Sequence, residues 1–551
     1  MGKKLIFSAI LLGLTCLLPA QEFLPRYWIS FTDKNNTPYS VASPEEFLSQ
    51  RSIERRDRQG IAIAEDDLPV DPFYLDQIRS KGISVLNVSK WFNGALVELG
   101  DTNNLDTLRN FDFVKPEIIR VKPGVSDKSE DNKFSKFKAS IDTDPSFYGL
   151  SYNQISLLNG DFLHQQGFSG EGVLIAILDA GFSKANVISS LQTAWEEDRV
   201  IAWKDFVHDT ANIFNSHDHG TAVFSIMGGI QSGMLVGTAP NAEYALVRTE
   251  DGNSEYLVEE YNWVCGAEFA DSLGADVINS SLGYTEFNDT SQNHTYADMN
   301  GRTAPISIAA TMAARKGMIV VTSAGNLGDD PWYRIGAPAD ADSILAVGAV
   351  DSTGVIARFS SRGPSYDGRV KPDVVAQGVY DIAQHPSNHF AYCSGTSCSS
   401  PVMAGLTACL WQAHQNSTNM EVIDAIRRSA SQYFNPDSVY GYGIPNMLTA
   451  NWLLQMPEDA GSDSFITFSV FPNPASDYFY LGILRPDETD EEEIVMNIYD
   501  MSGQLWKQKI FDITGSRYIM EIDDISSLSP GIYILDILLS GHRYHLLISK
   551  R

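Results

Sequence analysis

Val173-Leu174-Ile175-Ala176-Ile177-Leu178-Asp179-Ala180-Gly181 decides the fold of the central part of this chain. A strand with one wet face alternates apolar and polar residues. This run does not alternate, and it is too short for a typical buried helix. It suits a strand covered on both faces, as in a parallel sheet with helices on either side. The run stops on a carboxylate. Ligands of open α/β sheets bind beyond the carboxyl ends of the strands, so Asp179 falls where chemistry would take place. Taken alone, such an aspartate is more often a turn or cap residue.

The same texture extends from Ser151 to about Leu454. Ala245–Val247, Val277–Ile278, Met318–Val321 and Ile344–Val347 are further runs without alternation, and Glu255–Leu273 and Thr303–Lys316 are long enough for crossover helices. An α/β domain with a parallel sheet flanked by helices is therefore predicted over residues 147–455. Before it, residues 22–121 read as a small α+β unit. Tyr27–Phe31, Ile83–Val88 and Ala95–Leu99 are strand candidates; Asp71–Lys81 and Asn104–Phe111 are helix candidates; Ser43-Pro44-Glu45-Glu46 looks like a helix start with Pro at its first position. Residues 122–146 are polar and read as a linker, as do residues 456–464. Residues 465–551 carry short strand candidates separated by turn signals, from Phe465–Val470 to Ile532–Leu539, and predict a β-sandwich.

Charge and the first residues bound the partners. The 551 residues carry 40 basic and 69 acidic side chains, a net charge of −29, which excludes phosphate-backbone binding and hence nucleic acid. Lys3 and Lys4, the apolar run Leu5–Leu18 and the small residue Ala20 read as a cleavable signal peptide over residues 1–21. No later apolar stretch is long enough to span a bilayer. The chain is predicted to be exported and not membrane-spanning. Beyond the leader only Cys265, Cys393, Cys398 and Cys409 remain, too few for a disulfide scaffold. Cys393 and Cys398 are close enough to pair; buried free thiols fit equally well.

Two more segments join Asp179. His217-Asp218-His219-Gly220-Thr221-Ala222-Val223 opens a helical stretch. Its histidines lack a third ligand at a typical zinc spacing, so a metal-dependent hydrolase is a distant reading and no metal is assigned. Ser394-Gly395-Thr396-Ser397-Cys398-Ser399-Ser400-Pro401 runs into a helix whose first turn is expected to hold Pro401, placing Ser397 near a helix N-terminus that favours a developing anion. The order Asp179, His219, Ser397 is that of subtilisin, and differs from the orders of chymotrypsin and the α/β-hydrolases.

The chain resembles the subtilases, the subtilisin-like serine proteases. Gly237-Thr238-Ala239-Pro240, Asp276-Val277-Ile278-Asn279-Ser280-Ser281-Leu282-Gly283, Ser323-Ala324-Gly325-Asn326 and Phe359-Ser360-Ser361-Arg362-Gly363-Pro364 stand in the family's order. Ala222, where a second histidine is usual, and Cys398, where Met is common, depart from it. The resemblance implies Ser397 as nucleophile, His219 as general base and Asp179 as its orienting carboxylate. It also implies Asn326 as oxyanion donor and Ser281, Leu282, Gly283, Ala324 and Gly325 as substrate-binding positions. Catalysis would need no cofactor, and structural calcium is compatible with it. The flanks then resemble an inhibitory propeptide and, through Val470-Phe471-Pro472-Asn473-Pro474 and the end of the chain, a sorting domain of the type IX secretion machinery. That makes the expected protein a secreted or surface endopeptidase of a gram-negative bacterium acting on proteins or peptides. A catalytically silent relative serving as a binding module is the rival from another class; the intact set of four residues argues against it.

Overall fold

A computed structural model describes residues 24–101, 103–124, 138–139, 147–208, 210–433, 435–455, 467–471, 475, 478–484, 492–513, 517–523 and 525–550. The expected signal peptide, most of linker 122–146 and linker 456–464 lie outside the described residues. The chain divides into two compact units, Met1–Pro445 and Asn446–Arg551.

The first unit opens with β1 (Arg26–Phe31), α1 (Gln50–Arg58), α2 (Pro72–Ser80), β2 (Ser84–Ser89), β3 (Gly94–Glu98), α3 (Asn103–Arg109) and β4 (Val114–Lys122). The strands form an antiparallel sheet in the order β2-β3-β1-β4. Ile29, Phe31, Ile78, Ala95 and Val97 form its core with Tyr74 and Leu108. The helix expected at Ser43 is only a 3₁₀ turn, Pro44–Glu46. The true helix begins at Gln50, capped by the Ser49 hydroxyl, which accepts from the Ser52 N–H at 3.1 Å. A short strand, β5 (Lys138–Ala139), pairs further along the chain.

The α/β part of the chain, which builds the large sheet, follows. Its elements are α4 (Tyr152–Ser156), α5 (Gly160–Gln165), β6 (Leu174–Asp179), α6 (Gln192–Glu196), β7 (Val200–Asp205), α7 (His219–Gly228), the hairpin β8 (Ile230–Gln231) and β9 (Leu235–Val236), β10 (Glu243–Arg248), α8 (Val258–Leu273), β11 (Val277–Ser280), α9 (Pro305–Arg315), β12 (Ile319–Ser323), β13 (Leu345–Val350), β14 (Val374–Gln377), β15 (Val379–Gln384), β16 (Phe390–Ser394), α10 (Thr396–Ala413) and α11 (Asn419–Arg428). Seven strands run parallel in the order β14-β13-β12-β11-β6-β10-β7. Every residue of β6 is buried, as its unbroken apolar run requires. Leu174, Ala176 and Leu178 pack into one core with Trp263 and Ala267 of α8 and Ala309 and Ala310 of α9. Strand alternation sends Ile175, Ile177 and Asp179 to the opposite face, where α7 meets β6 and packs against α10.

The β1–β4 unit sits on α8 through ions. Arg55 donates to Asp271 at 2.5 Å, Arg56 to Asp271 and Asp67, and Lys90 to Asp271 at 3.2 Å, with Asp271, Arg55 and Arg56 fully buried. Glu268, one turn earlier, accepts from the Ser89 hydroxyl and from the Lys90 and Trp91 N–H groups.

Among its described residues the second unit holds α12 (Met447–Gln455) and seven strands: β17 (Thr467–Phe471), β18 (Phe479–Leu484), β19 (Glu492–Asp500), β20 (Leu505–Ile513), β21 (Arg517–Ile522), β22 (Gly531–Leu539) and β23 (His542–Lys550). They form two antiparallel sheets, β17-β18-β21 and β20-β19-β22-β23, around one core that includes Phe479, Leu481, Met496, Ile498, Leu535 and Ile537.

Candidate active site

Sheet order reverses around β6: β7 and β10 lie on one side, and β11 to β14 on the other. The crevice beyond β6 and β11 is thus the switch point where such sheets bind ligands. Asp179 ends β6, and Ser281-Leu282-Gly283 leaves β11. Ala324-Gly325-Asn326 leaves the next strand, β12.

Asp179 is fully buried. Its Oδ1 accepts from the Ala180 N–H at 2.7 Å, and both carboxylate oxygens face His219 Nδ1, at 2.9 and 3.0 Å. A carboxylate only accepts, so Nδ1 carries the proton and Nε2 keeps its lone pair. His219 starts α7, whose first turn presses against the loop after β6. A Cβ at Gly220 would stand 2.5 Å from the Gly181 carbonyl, so only glycine fits there. Burial disfavours the charged imidazole, but the charge and hydrogen bond of Asp179 outweigh it and raise the His219 pKa above its ordinary value. His217, whose pKa is lowered by burial, uses its Nδ1 to accept from the His219 N–H at 3.1 Å.

Ser397 is the second residue of α10 and 6% exposed. The helix starts at Thr396, so Pro401 lies in its second turn and not, as the sequence suggested, in its first. Proline has no N–H, which strips the carbonyl four residues back of its helical partner. That carbonyl belongs to Ser397. The Ser281 hydroxyl supplies the missing donor at 3.1 Å, and Ser281 is itself held by Asn279 Nδ2 at 3.2 Å. The strand end and the serine are thereby coupled, a relation the sequence order does not display.

Asn326 is fixed by the same turn. Its Oδ1 accepts from the Thr396 N–H at 2.8 Å and the Thr396 hydroxyl at 3.0 Å, while the Gly325 N–H donates to that hydroxyl at 3.2 Å. With Oδ1 engaged, Nδ2 points away from Thr396, on an exposed residue. Gly325 adopts φ +106°, a left-handed conformation other residues resist. Of the peptide-edge positions, Ser281, Leu282 and Ala324 are buried and Gly283 is exposed. Leu282 offers its carbonyl to the Ser323 hydroxyl at 3.2 Å.

Residues 170–443 match the subtilase family. Subtilisin DY of Bacillus licheniformis is 30% identical over 300 residues, which cover 54% of this chain and 97% of the relative. The chain belongs to the subtilase family. This subtilase is also 28% identical to Subtilisin E of Bacillus subtilis over 379 residues, 68% of the chain and 85% of the relative. It is 32% identical to a thermophilic serine proteinase of Bacillus sp. strain AK1 over 254 residues, 46% and 56% of the two. As a subtilase it is a serine endopeptidase. Its residues 26–136 match the Peptidase S8 propeptide domain of Bacteroidota, and residues 469–545 match a secretion system C-terminal sorting domain, so both flanks are what their sequences resembled. Among the described residues no helix is long and apolar enough to cross a membrane.

Proposed function

We propose that this subtilase hydrolyses peptide bonds of proteins through Asp179, His219 and Ser397, with an acyl-enzyme intermediate. The observation that carries the reading is the buried Asp179–His219 pair, with His219 on α7, which packs against α10, the helix that bears Ser397 in its first turn. Ser397 Oγ attacks the scissile carbonyl while His219 Nε2 takes its proton. The imidazolium formed is stabilised by Asp179 and returns the proton to the leaving amine. Water then repeats the sequence on the acyl group. Asn326 Nδ2 and the Ser397 N–H donate to the oxyanion, where the α10 dipole adds to the same field. An extended substrate lies along Ser281-Leu282-Gly283, with Ala324 and Gly325 opposite. These steps use side chains and backbone alone; calcium would act on stability and on none of them.

The sorting domain and the Bacteroidota propeptide support export by the type IX machinery to the surface or medium of a gram-negative cell. Ser397→Ala should lower turnover by about 10⁶-fold, the size of nucleophile loss in a serine protease. A fluorophosphonate probe should label the parent protein and leave the variant unlabelled. Labelling of neither, with the fold intact, would favour the silent binding module.

A further inference from the structure

Cys393 and Cys398 form a disulfide, with 6.6 Å between their Cα atoms. Cys393 belongs to β16 and Cys398 is the third residue of α10. The covalent ring therefore encloses Ser394, Gly395, Thr396 and Ser397. It contains both the residue read as nucleophile and Thr396, whose N–H and hydroxyl fix Asn326.

The setting of this bridge separates two possible uses. A thiol suited to repeated exchange is partly exposed and lies near a cation that favours the thiolate. Here the cysteines are 3% and 4% exposed. The β15–β16 register sets Asp381 opposite Cys393, and residues paired across strands share a face. Asp381 is itself fully buried, and burial pushes its pKa up to about 8, so its carboxyl is mostly neutral at pH 7. A buried bridge beside a neutral carboxyl is built to stay closed. Its loop is also short, so it removes little entropy from the unfolded chain and adds modestly to global stability. Its leverage is local. It fixes the point where β16 hands over to α10, and so the direction of the Ser397 side chain and N–H and the seat of Asn326.

We propose that the Cys393–Cys398 disulfide positions the nucleophile and its oxyanion partner, so that full turnover follows oxidation of this pair in an oxidising compartment. The inference rests on the reading of Ser397 as nucleophile. In the forming step the two thiols give up two electrons and two protons to an external disulfide, which leaves as two thiols, and the S–S bond closes. Cys393 and Cys398 touch no reacting atom in this account; they are positioning residues.

The test compares the processed enzyme with the Cys393→Ser/Cys398→Ser double variant. The expected result is a kcat lower by tenfold or more, a KM within twofold, and an equal fall in the fluorophosphonate labelling rate. A purely stabilising bridge would lower the melting temperature and move none of these. A folded double variant with parental kcat would overturn the proposal. If the double variant does not fold, the parental protein is equilibrated over a series of thiol–disulfide buffers. The bridged fraction is read by mass spectrometry after alkylation and compared with specific activity of the folded fraction. Activity rising in proportion to the bridge supports the proposal, and full activity with both thiols alkylated sinks it. Ser397→Ala separates the two readings. Turnover by that variant refutes the nucleophile itself, whereas an inactive Ser397→Ala beside an unimpaired double serine variant refutes only the role of the disulfide.

Discussion

Asn326 shows how much of the site a single amide settles. Its Oδ1 is committed to Thr396, and in the proposed mechanism its Nδ2 meets charge that exists only after attack on the carbonyl. Asn326→Leu should therefore lower kcat by about 10²–10³-fold with little change in KM. Steady-state kinetics on a peptide substrate reads this directly; a rise in KM alone would make Asn326 a substrate-binding residue. The Asp179 carboxylate acts on proton affinity. Because its charge raises the His219 pKa above the ordinary value near 6.5, the imidazole is protonated and inactive as a base up to a higher pH than usual. The acid limb of kcat/KM should thus lie above about pH 6.5. Asp179→Asn removes the charge and moves that limb downward, with a loss of about 10⁴ in kcat. A limb that stays put would detach Asp179 from His219 function. Asp179 and His219, which the structure joins by a hydrogen bond, and Ser397 could each be singled out in the sequence because each sits in its own short motif. The service of Ser281 to the carbonyl freed by Pro401 could not, since it joins residues 116 positions apart.

At the scale of elements, the strands of the large sheet were readable and α1 was not. β6, β10 and β12 bury both faces and so appear as plain apolar runs. α1 reads Gln-Arg-Ser-Ile-Glu-Arg-Arg-Asp-Arg, and what it buries is arginine, neutralised by a carboxylate on a helix more than 200 residues away. Hydrophobic periodicity has nothing to detect there. β23 escaped for a related reason: Arg543, His545 and Leu547 face out between Tyr544, Leu546 and Ile548, and the basic outward row hides the alternation. The interface of α1 and its sheet with α8 also has a pH signature. Burial raises the Glu268 pKa to about 7, against the ordinary carboxyl value of about 4.5 that holds in the unfolded chain. Folding then takes up a proton between those values, so this contribution is complete below about 4.5 and is lost as the pH rises through 7. Asp271 has the opposite sign. Burial would raise its pKa, but Lys90, Arg56 and Arg55 overcome that and hold it well below the usual carboxylate range, so its contribution persists until strongly acid pH. A Ser397→Ala chain that retains residues 26–136 should consequently melt higher at pH 5 than at pH 8. Glu268→Gln, which cannot titrate, should flatten that difference. An unchanged pH dependence in the Gln variant would assign the effect elsewhere.

The whole molecule joins a subtilase match to a propeptide match before it and a sorting-domain match after it, and the sequence changes texture along the chain. What it did not announce is where the second module begins. The compact unit starts at Asn446, so α12 packs with the β-strands: Asn446 Nδ2 donates to the Tyr480 hydroxyl at 2.8 Å, and the Trp452 ring lies so close to Gly482 that a Cβ there would approach it to 2.0 Å. The candidate active site, from Asp179 to Ser397, lies wholly in the first unit. As a hypothesis drawn from that separation, a chain ending at Pro445 should fold as an active peptidase and stay in the periplasm, while the full chain reaches the surface or medium and loses its C-terminal module. A chain ending at Gly461 should also be retained and active, but it keeps α12 without the sheet that covers Trp452 and should be the less soluble of the two, since a newly exposed apolar face promotes association. Cell fractionation, mass spectrometry of the released form and peptidase assays on each fraction measure all three. Normal secretion of either shortened chain would refute a sorting role for residues 465–551, and loss of folding in both would show that the second unit is part of the peptidase.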